Sequence, residues 1–79
     1  MRDFTIVKIE RVVETIAAGK NLKERDRLVE DYGNGRWRKV KGIGLVRSVS
    51  GELYQAQIHW FEAHGLGRFE MKVKKVFRR

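Results

Sequence analysis

The chain contains no cysteine and no proline. Without cysteine, disulfide bonds and thiolate metal sites are excluded, which is typical of a reducing compartment. Without proline or a low-complexity stretch no linker is marked, so the sequence predicts one small domain over residues 1–79. No apolar run approaches the roughly 20 residues that a membrane-spanning helix needs. The first residues also lack the apolar core of a secretory signal, so we expect a cytoplasmic protein without a membrane partner.

Positive charge is concentrated in the second half of the sequence. Residues 34–79 contain eleven Lys and Arg against three Asp and Glu, whereas residues 1–33 contain seven of each class. The net charge of +8 therefore arises entirely in residues 34–79. A surface with charge of one sign attracts polyanions, which predicts nucleic acid or an acidic protein as partner. A net charge of this size also favours solubility in a small domain.

Residues 4–18 are predicted to form a first helix, because their apolar residues recur at spacings of three to four. These residues are Ile6, Ile9, Val12, Val13, Ile16 and Ala17. The alternative is that the β-branched and aromatic run Phe4–Val7 forms a strand. A second helix is expected between Asn21, as its N-cap, and Gly33. Its apolar side comprises Leu22, Leu28, Val29 and Tyr32. The short connection between the two helices predicts a helical hairpin.

From Arg36 onward the period changes to two, which predicts strands at 37–49, 52–62 and 68–77. A two-residue turn at Ser50–Gly51 places Ile43 opposite Ile58. A four-residue loop at 64–67 places Ile58 opposite Val73 and Glu62 opposite Phe69. Both turns put the same residues on one face, which we expect the helices to cover: Ile43, Leu45, Ala56, Ile58, Trp60, Phe69, Met71 and Val73. The predicted fold class is α+β, a two-helix hairpin packed on a three-stranded antiparallel β-meander (ααβββ).

The other face of this predicted sheet is polar and basic. Its expected rows are Gly42, His59 and Lys72, and then Gly44, Gln57 and Lys74. The two glycines either expose backbone to a ligand or mark a bulge in the strand. Cations and a stacking aromatic ring on a sheet bind RNA, which is therefore expected as ligand more than DNA. The predicted nucleic-acid-binding residues are Arg38, Phe61, Arg68, Lys72 and Lys74.

The two histidines, His59 and His64, lie five residues apart. Helical zinc motifs place two histidines four residues apart, so no metal site and no cofactor is predicted. Metal-independent RNA cleavage needs a proton-transfer group beside cations. The candidate catalytic residues for such a reaction are His59, His64 and Lys72. Since a histidine on a solvated face is usually only a surface residue, binding without catalysis is favoured. A third interpretation is a protein-interaction module or homodimer that uses this face or a strand edge.

Two resemblances extend this interpretation. The segment Ile58–Gly67, together with the basic run Arg36–Gly42, resembles small bacterial proteins that share a His-Trp-aromatic-Glu-Ala-His-Gly run. This resemblance covers roughly the second half of the chain and implies no established activity. The predicted topology is similar to that of the RelE-type messenger-RNA interferase toxins, without a match to their catalytic residues. That similarity implies a toxin-like ribonuclease as the alternative function.

Overall fold

The computed structural model describes residues 3–77, which form a four-stranded antiparallel sheet with one short helix. The strands lie side by side in chain order: β1 (Thr5–Ala18), β2 (Arg38–Arg47), β3 (Leu53–Ala63) and β4 (Gly67–Phe77). A 3₁₀ turn at Gly19–Asn21 and the helix α1 (Arg25–Tyr32) connect β1 to β2. The predicted two-helix hairpin on a three-stranded meander is therefore wrong. The meander is present as β2–β4, but a fourth strand occupies the place of the first helix.

β1 has helix-like apolar spacing because it is bulged at every third residue. In its ladder with β2, residues 7, 10, 13 and 16 have no partner, so the 14 residues of β1 lie opposite the 10 of β2. Each extra residue lengthens the side-chain repeat from two to three, which brings Ile6, Ile9 and Val12 to one face. Eight of the 14 residues are β-branched, a composition that favours extended backbone. The alternative prediction, a strand at Phe4–Val7, gave the correct type of element. The observed strand is longer, because it continues to Ala18.

The second predicted helix is present but begins three residues later than its apolar pattern suggested. α1 begins at Arg25, and Gly33 follows its last residue with φ 119° and donates its N–H to the Val29 carbonyl. Leu28 is fully buried and forms a cluster with other core residues: Leu22, Trp37, Phe61 and Ala63. Through this cluster α1 covers one end of one face of the sheet.

The hairpin between β2 and β3 is shifted by one residue from the prediction. Its loop has three residues, 49–51, and the last of them has φ 92°. A shift of one residue moves every side chain of one strand to the opposite face relative to its partner strand. Gly42, rather than Ile43, therefore lies opposite Ile58. The prediction that Ile43 and Leu45 share the buried face of the sheet with Ile58 is wrong.

The predicted β3–β4 register is correct in the middle of the strands and wrong towards both ends. At the end away from the loop, Lys75 rather than the predicted Lys74 lies opposite Gln57. Ile58 lies opposite Val73, as predicted. β4 then has one extra residue, Glu70, with φ 56°. Because of this bulge Phe69 lies opposite Phe61 instead of Glu62, and it belongs to the face that α1 covers.

The face of the sheet that carries Trp60 is covered by side chains of the sheet's own strands and not by helices. Its buried cluster contains Val40, Val46, Ala56, Ile58 and Trp60, against which residues of the two edge strands pack, among them Ile6, Ile9, Met71 and Val73. Gly42 and Gly44 point into this cluster. A Cβ atom at Gly42 would lie 2.5 Å from the Trp60 ring and 2.6 Å from the Arg11 carbonyl oxygen. The two glycines therefore permit close packing of β1 on β2, and they neither face His59 nor mark a bulge in β2.

Candidate anion-binding face around His59

His59 lies at the centre of a row of basic residues that crosses three strands. Its direct neighbours in the two ladders are Lys41 on β2 and Lys72 on β4. The predicted pairing of His59 with Lys72 is confirmed, whereas Gly42 is replaced in the row by Lys41 as a consequence of the one-residue shift. Directly opposed residues of a sheet share a face, so these three side chains project from the same side.

A pocket with a volume of about 120 Å³ lies between this row and α1. Its lining comes from α1, from Glu24 just before it, and from β2, β3 and β4: Glu24, Arg27, Lys39, His59, Trp60, Phe61, Glu70, Lys72 and Lys74. We call this the His59 pocket. Seven of the nine lining residues are ionisable, which makes it a polar site rather than an apolar ligand cavity.

Three lysines of the pocket carry charge that no carboxylate offsets directly. Lys39, Lys72 and Lys74 form no ion pair among residues 3–77. We call these three residues the lysine face. By contrast, Lys41 is paired with Glu14, with 2.7 Å between Nζ and Oε1. This pair holds the pKa of Glu14 below its usual value, chiefly through the hydrogen bond.

Both ring nitrogens of His59 are buried and have no hydrogen-bond partner within residues 3–77. Leaving a buried polar group unpaired costs about 1–3 kcal/mol, so such a group calls for an explanation. Burial lowers the pKa of His59 below its usual value, and the nearby charges of Lys74, Lys39 and Lys41 lower it further. The imidazole is consequently neutral at neutral pH, with one nitrogen able to donate a hydrogen bond and the other able to accept one.

Glu70 links β4, which forms one wall of the pocket, to α1. Its carboxylate accepts hydrogen bonds from Nη1 and Nη2 of Arg27, at 2.8 Å and 2.9 Å, and from the Tyr32 hydroxyl at 2.8 Å. The hydrogen bond from Arg27 is the main reason why the pKa of Glu70 lies below its usual value. The Tyr32 ring also stacks on Phe69, with 4.3 Å between the ring centroids. The positions of Arg27 and Glu70 beside the lysines are therefore set by several contacts.

Arg38 and Arg68, both predicted to bind nucleic acid, lie on the opposite face. Each is directly opposite Glu62 in its ladder. Arg38 donates to Glu62 through Nε at 3.0 Å and also through Nη2. Arg68 lies with Nε 3.7 Å from Glu62, and its guanidinium is 5.1 Å from the centre of the Trp60 ring. Both arginines are therefore engaged with a carboxylate away from the His59 pocket.

The role of this second cluster is to hold Trp60. The Trp60 indole N–H donates to Glu62 at 2.8 Å. Burial by itself would raise the pKa of Glu62, but hydrogen bonds from Trp60 and Arg38 and the charges of both arginines outweigh burial, so the pKa lies below its usual value. The carboxylate therefore remains charged at neutral pH and ties the buried indole to two surface cations.

Two further predicted site residues do not join the lysine face. Phe61 lines the His59 pocket but is only 8% exposed beneath α1, so it offers no open ring on which a base can stack. His64 is exposed in the loop between β3 and β4 and does not line the pocket. The structure thus brings together His59, Lys72 and Lys74 from the predicted set.

Sequence reasoning missed Lys39 and Lys41 as neighbours of His59. The alternation Lys39–Val40–Lys41 already placed both lysines on one face of β2. Assigning them to the face of His59 required the correct loop, and the signal for it was Gly51 as the third residue of a three-residue loop.

Within residues 3–77 no helix is long and apolar enough to cross a membrane. The same residues contain no group of three or more His, Asp or Glu side chains placed to hold a metal ion. Comparison of the chain with protein-family models, with curated proteins and with solved structures found no match.

Proposed function

We propose that the protein binds single-stranded RNA through the lysine face. The observation that supports this most directly is the grouping of Lys39, Lys72 and Lys74 around His59, with no ion pair to any of the three among the described residues. Ammonium groups bind backbone phosphates regardless of base sequence, and each contact releases counterions. Exposed lysines on a sheet are suited to such binding.

Further cations extend the same side of the sheet. In the ladders, Arg11 lies opposite Ile43 and Lys8 opposite Leu45, both on the face that Lys41 occupies. On β4, Lys75 lies opposite Gln57, two residues from His59. A polyanion that crosses the sheet from β4 towards β1 meets cations on β4, β2 and β1, with Glu14 beside Lys41 as an interruption, which favours an extended strand over a compact acidic ligand.

A titration of RNA binding against salt tests this proposal. Binding of a short single-stranded RNA should weaken steeply with salt, with a log–log slope near −0.7 for each phosphate neutralised. The double variant Lys72→Gln/Lys74→Gln should flatten that slope by about 1–2 units. Fluorescence anisotropy measures both, and circular dichroism confirms that the variant is folded.

The matched control removes two charges elsewhere. Arg47→Gln/Lys20→Gln changes the net charge equally, but both residues are exposed and neither lines the His59 pocket. It should retain most of the parent slope. Arg78 and Arg79 lie outside the described residues, and a variant with both changed to Gln measures their contribution. If the Lys72→Gln/Lys74→Gln protein binds RNA as the parent does, or if the parent does not bind at low salt, the proposal is wrong.

A second candidate function is metal-independent cleavage of RNA at the same face. It is favoured by the two unpaired ring nitrogens of His59, because a neutral imidazole beside Lys72 can accept a proton while the lysines offset charge at the phosphate. The similarity to RelE-type toxins lends no support, since it depended on a helical hairpin that residues 3–77 do not form. Cleavage of labelled RNA that is lost in His59→Gln would favour this candidate over binding alone.

A further inference from the structure

The size and charge of the His59 pocket fit a single phosphate group. We propose that the pocket binds a phosphate monoester dianion, namely the terminal phosphate of the RNA strand. This inference rests on the function proposed above. It assigns the pocket to the phosphate at the end of the RNA, whereas the proposed function concerns phosphates anywhere along the RNA backbone.

The volume of the pocket restricts what enters it. Its volume is about 120 Å³. Sites for drug-sized molecules are larger, about 300–1,000 Å³. A phosphate group is of a size to enter such a pocket, and an attached base and ribose would lie outside it.

The charge of the lining matches a dianion. Four cations, Arg27, Lys39, Lys72 and Lys74, face two carboxylates, Glu24 and Glu70. With neutral His59, the lining carries a net charge of +2. Arg27 and Glu70 offset each other through their two hydrogen bonds, so three lysines remain against Glu24. A phosphate monoester carries about −1.5 to −2 at neutral pH, whereas an internal phosphodiester carries only about −1.

The walls favour the end of a strand over its middle. The pocket is bounded by Lys39 on β2, His59 on β3 and Lys72 on β4, while α1 and the residue before it close a further side with Arg27 and Glu24. An internal phosphate needs room for the chain to enter and to leave. α1 blocks one of these directions, because Glu70 fastens Arg27 and Tyr32 to the sheet.

His59 supplies the group that distinguishes this pocket from a patch of lysines. It is in the lining, and its ring nitrogens have no partner among the described residues. Because both nitrogens are buried, a phosphate oxygen reaches the ring only when the side chains around it rearrange as the anion enters the pocket. The ring N–H then gains an acceptor, and hydrogen bonds to charged groups are the stronger kind.

The test uses inorganic phosphate first and RNA second, each with the full chain. Phosphate, titrated against chloride at equal ionic strength, should shift the NMR signals of the His59 ring and leave those of His64 unchanged, because His64 lies outside the pocket. Of two short RNAs of one sequence, the form with a 5′- or 3′-terminal phosphate should bind about tenfold tighter than the form that ends in hydroxyl groups.

Variants separate the pocket from the wider basic surface. Lys72→Gln should lose most of the preference for the terminal phosphate, and His59→Phe should reduce it as well. Arg47→Gln should keep it, since Arg47 is six residues along β2 from Lys41, or about 20 Å. Lys72 is exposed, so its substitution leaves a folded protein in which the result can be measured.

The outcomes distinguish this inference from the proposed function. RNA binding that depends on salt but not on a terminal phosphate overturns the inference and leaves the proposed function in place. A His59 response to phosphate without binding of either RNA overturns both the proposed function and the assignment of the pocket to an RNA end, and leaves a phosphate site whose ligand is not RNA. If phosphate moves neither histidine and neither RNA binds, both are wrong.

Discussion

Glu70 and Arg27 join β4 to α1 through two parallel hydrogen bonds of 2.8 Å and 2.9 Å. Glu70 makes these contacts from a backbone with φ 56°, a region that residues with side chains rarely adopt. The bulge at this position therefore combines local strain with the contacts that hold the helix. The two effects can be separated by mutation.

Glu70→Ala and Glu70→Gly both remove the ion pair, but only glycine relaxes the backbone. We expect the glycine variant to be more stable than the alanine variant by about 1 kcal/mol, with both below the parent. Urea unfolding measures the difference. Lys75 on the same strand has ordinary φ, so there the order should reverse, with Lys75→Ala above Lys75→Gly. Equal stability of the two Glu70 variants would show that the backbone is not strained.

Gly42→Ala should lower the free energy of unfolding by about 1–3 kcal/mol, as overpacking of a core does. The added Cβ would lie 2.5 Å from the buried Trp60 ring and 2.6 Å from the Arg11 carbonyl oxygen, so side chain and backbone must both move. Arg47→Ala, at an exposed position of the same strand, should change stability by less than about 0.5 kcal/mol. Thermal unfolding of Gly42→Ala at the parent temperature would contradict the close approach of β1 to β2.

Glu62 should contribute to acid sensitivity. Its pKa in the folded protein lies below the usual 4.5, so the unfolded chain takes up a proton first as the pH falls. The stability that Glu62 provides is complete above about pH 4.5 and is lost as the pH falls through its folded-state pKa. At neutral pH, Glu62→Gln should cost about 1 kcal/mol, because the indole keeps an acceptor while two arginines lose their counter-charge.

The measurement is a series of thermal melts of parent and Glu62→Gln from neutral to acidic pH. The difference between the two proteins should shrink below about pH 4.5. Glu14 and Glu70 also have lowered pKa values, but they are present in both proteins and cancel in the difference. A difference in melting temperature between the two proteins that stays constant down to low pH would contradict the lowered pKa of Glu62.

His59 should titrate below its usual pKa of 6.5, mainly through burial and then through the charge of Lys74. Lys74→Gln should raise the pKa of His59, as measured by NMR, while Arg47→Gln should leave it unchanged. Because the folded-state pKa is the lower one, the unfolded chain binds the proton first. Stability is therefore complete above about pH 6.5 and decreases as the pH falls through the folded-state pKa of His59. An unchanged pKa of His59 in the Lys74→Gln protein would mean that Lys74 lies farther from the imidazole ring.

The sequence was sufficient to predict strands β2–β4 and the pairing of Ile58 with Val73, because their alternation of apolar residues is regular. It was insufficient for β1, where a bulge at every third residue gives Ile6, Ile9 and Val12 the spacing of a helix face. The high content of β-branched residues in β1 favours a strand over a helix. Our prediction nevertheless gave more weight to the helix-like spacing of the apolar residues.

The candidate site was predictable only in part, and the loop at 49–51 explains most of the difference. One additional loop residue exchanged the two faces of β2, so that Lys41 rather than Gly42 lies beside His59. The bulge at Glu70 changed the pairing near the loop between β3 and β4. No residue type in that segment predicts a positive φ. Arg38 and Arg68 were assigned to the wrong side of the sheet, whereas His59 and Lys72 were paired correctly.

The distribution of bulges has a consequence for how this sheet meets other chains. The central ladder of β2 with β3 is regular, whereas all register shifts fall on the two outer strands, β1 and β4. An outer strand with even spacing presents a row of free N–H and C=O groups on which a further strand can add. In β1 that row is interrupted every third residue, and in β4 it is interrupted at two places. A small sheet with apolar residues exposed along one rim, such as Val12 and Ile16, is thereby protected from stacking edge to edge into fibrils.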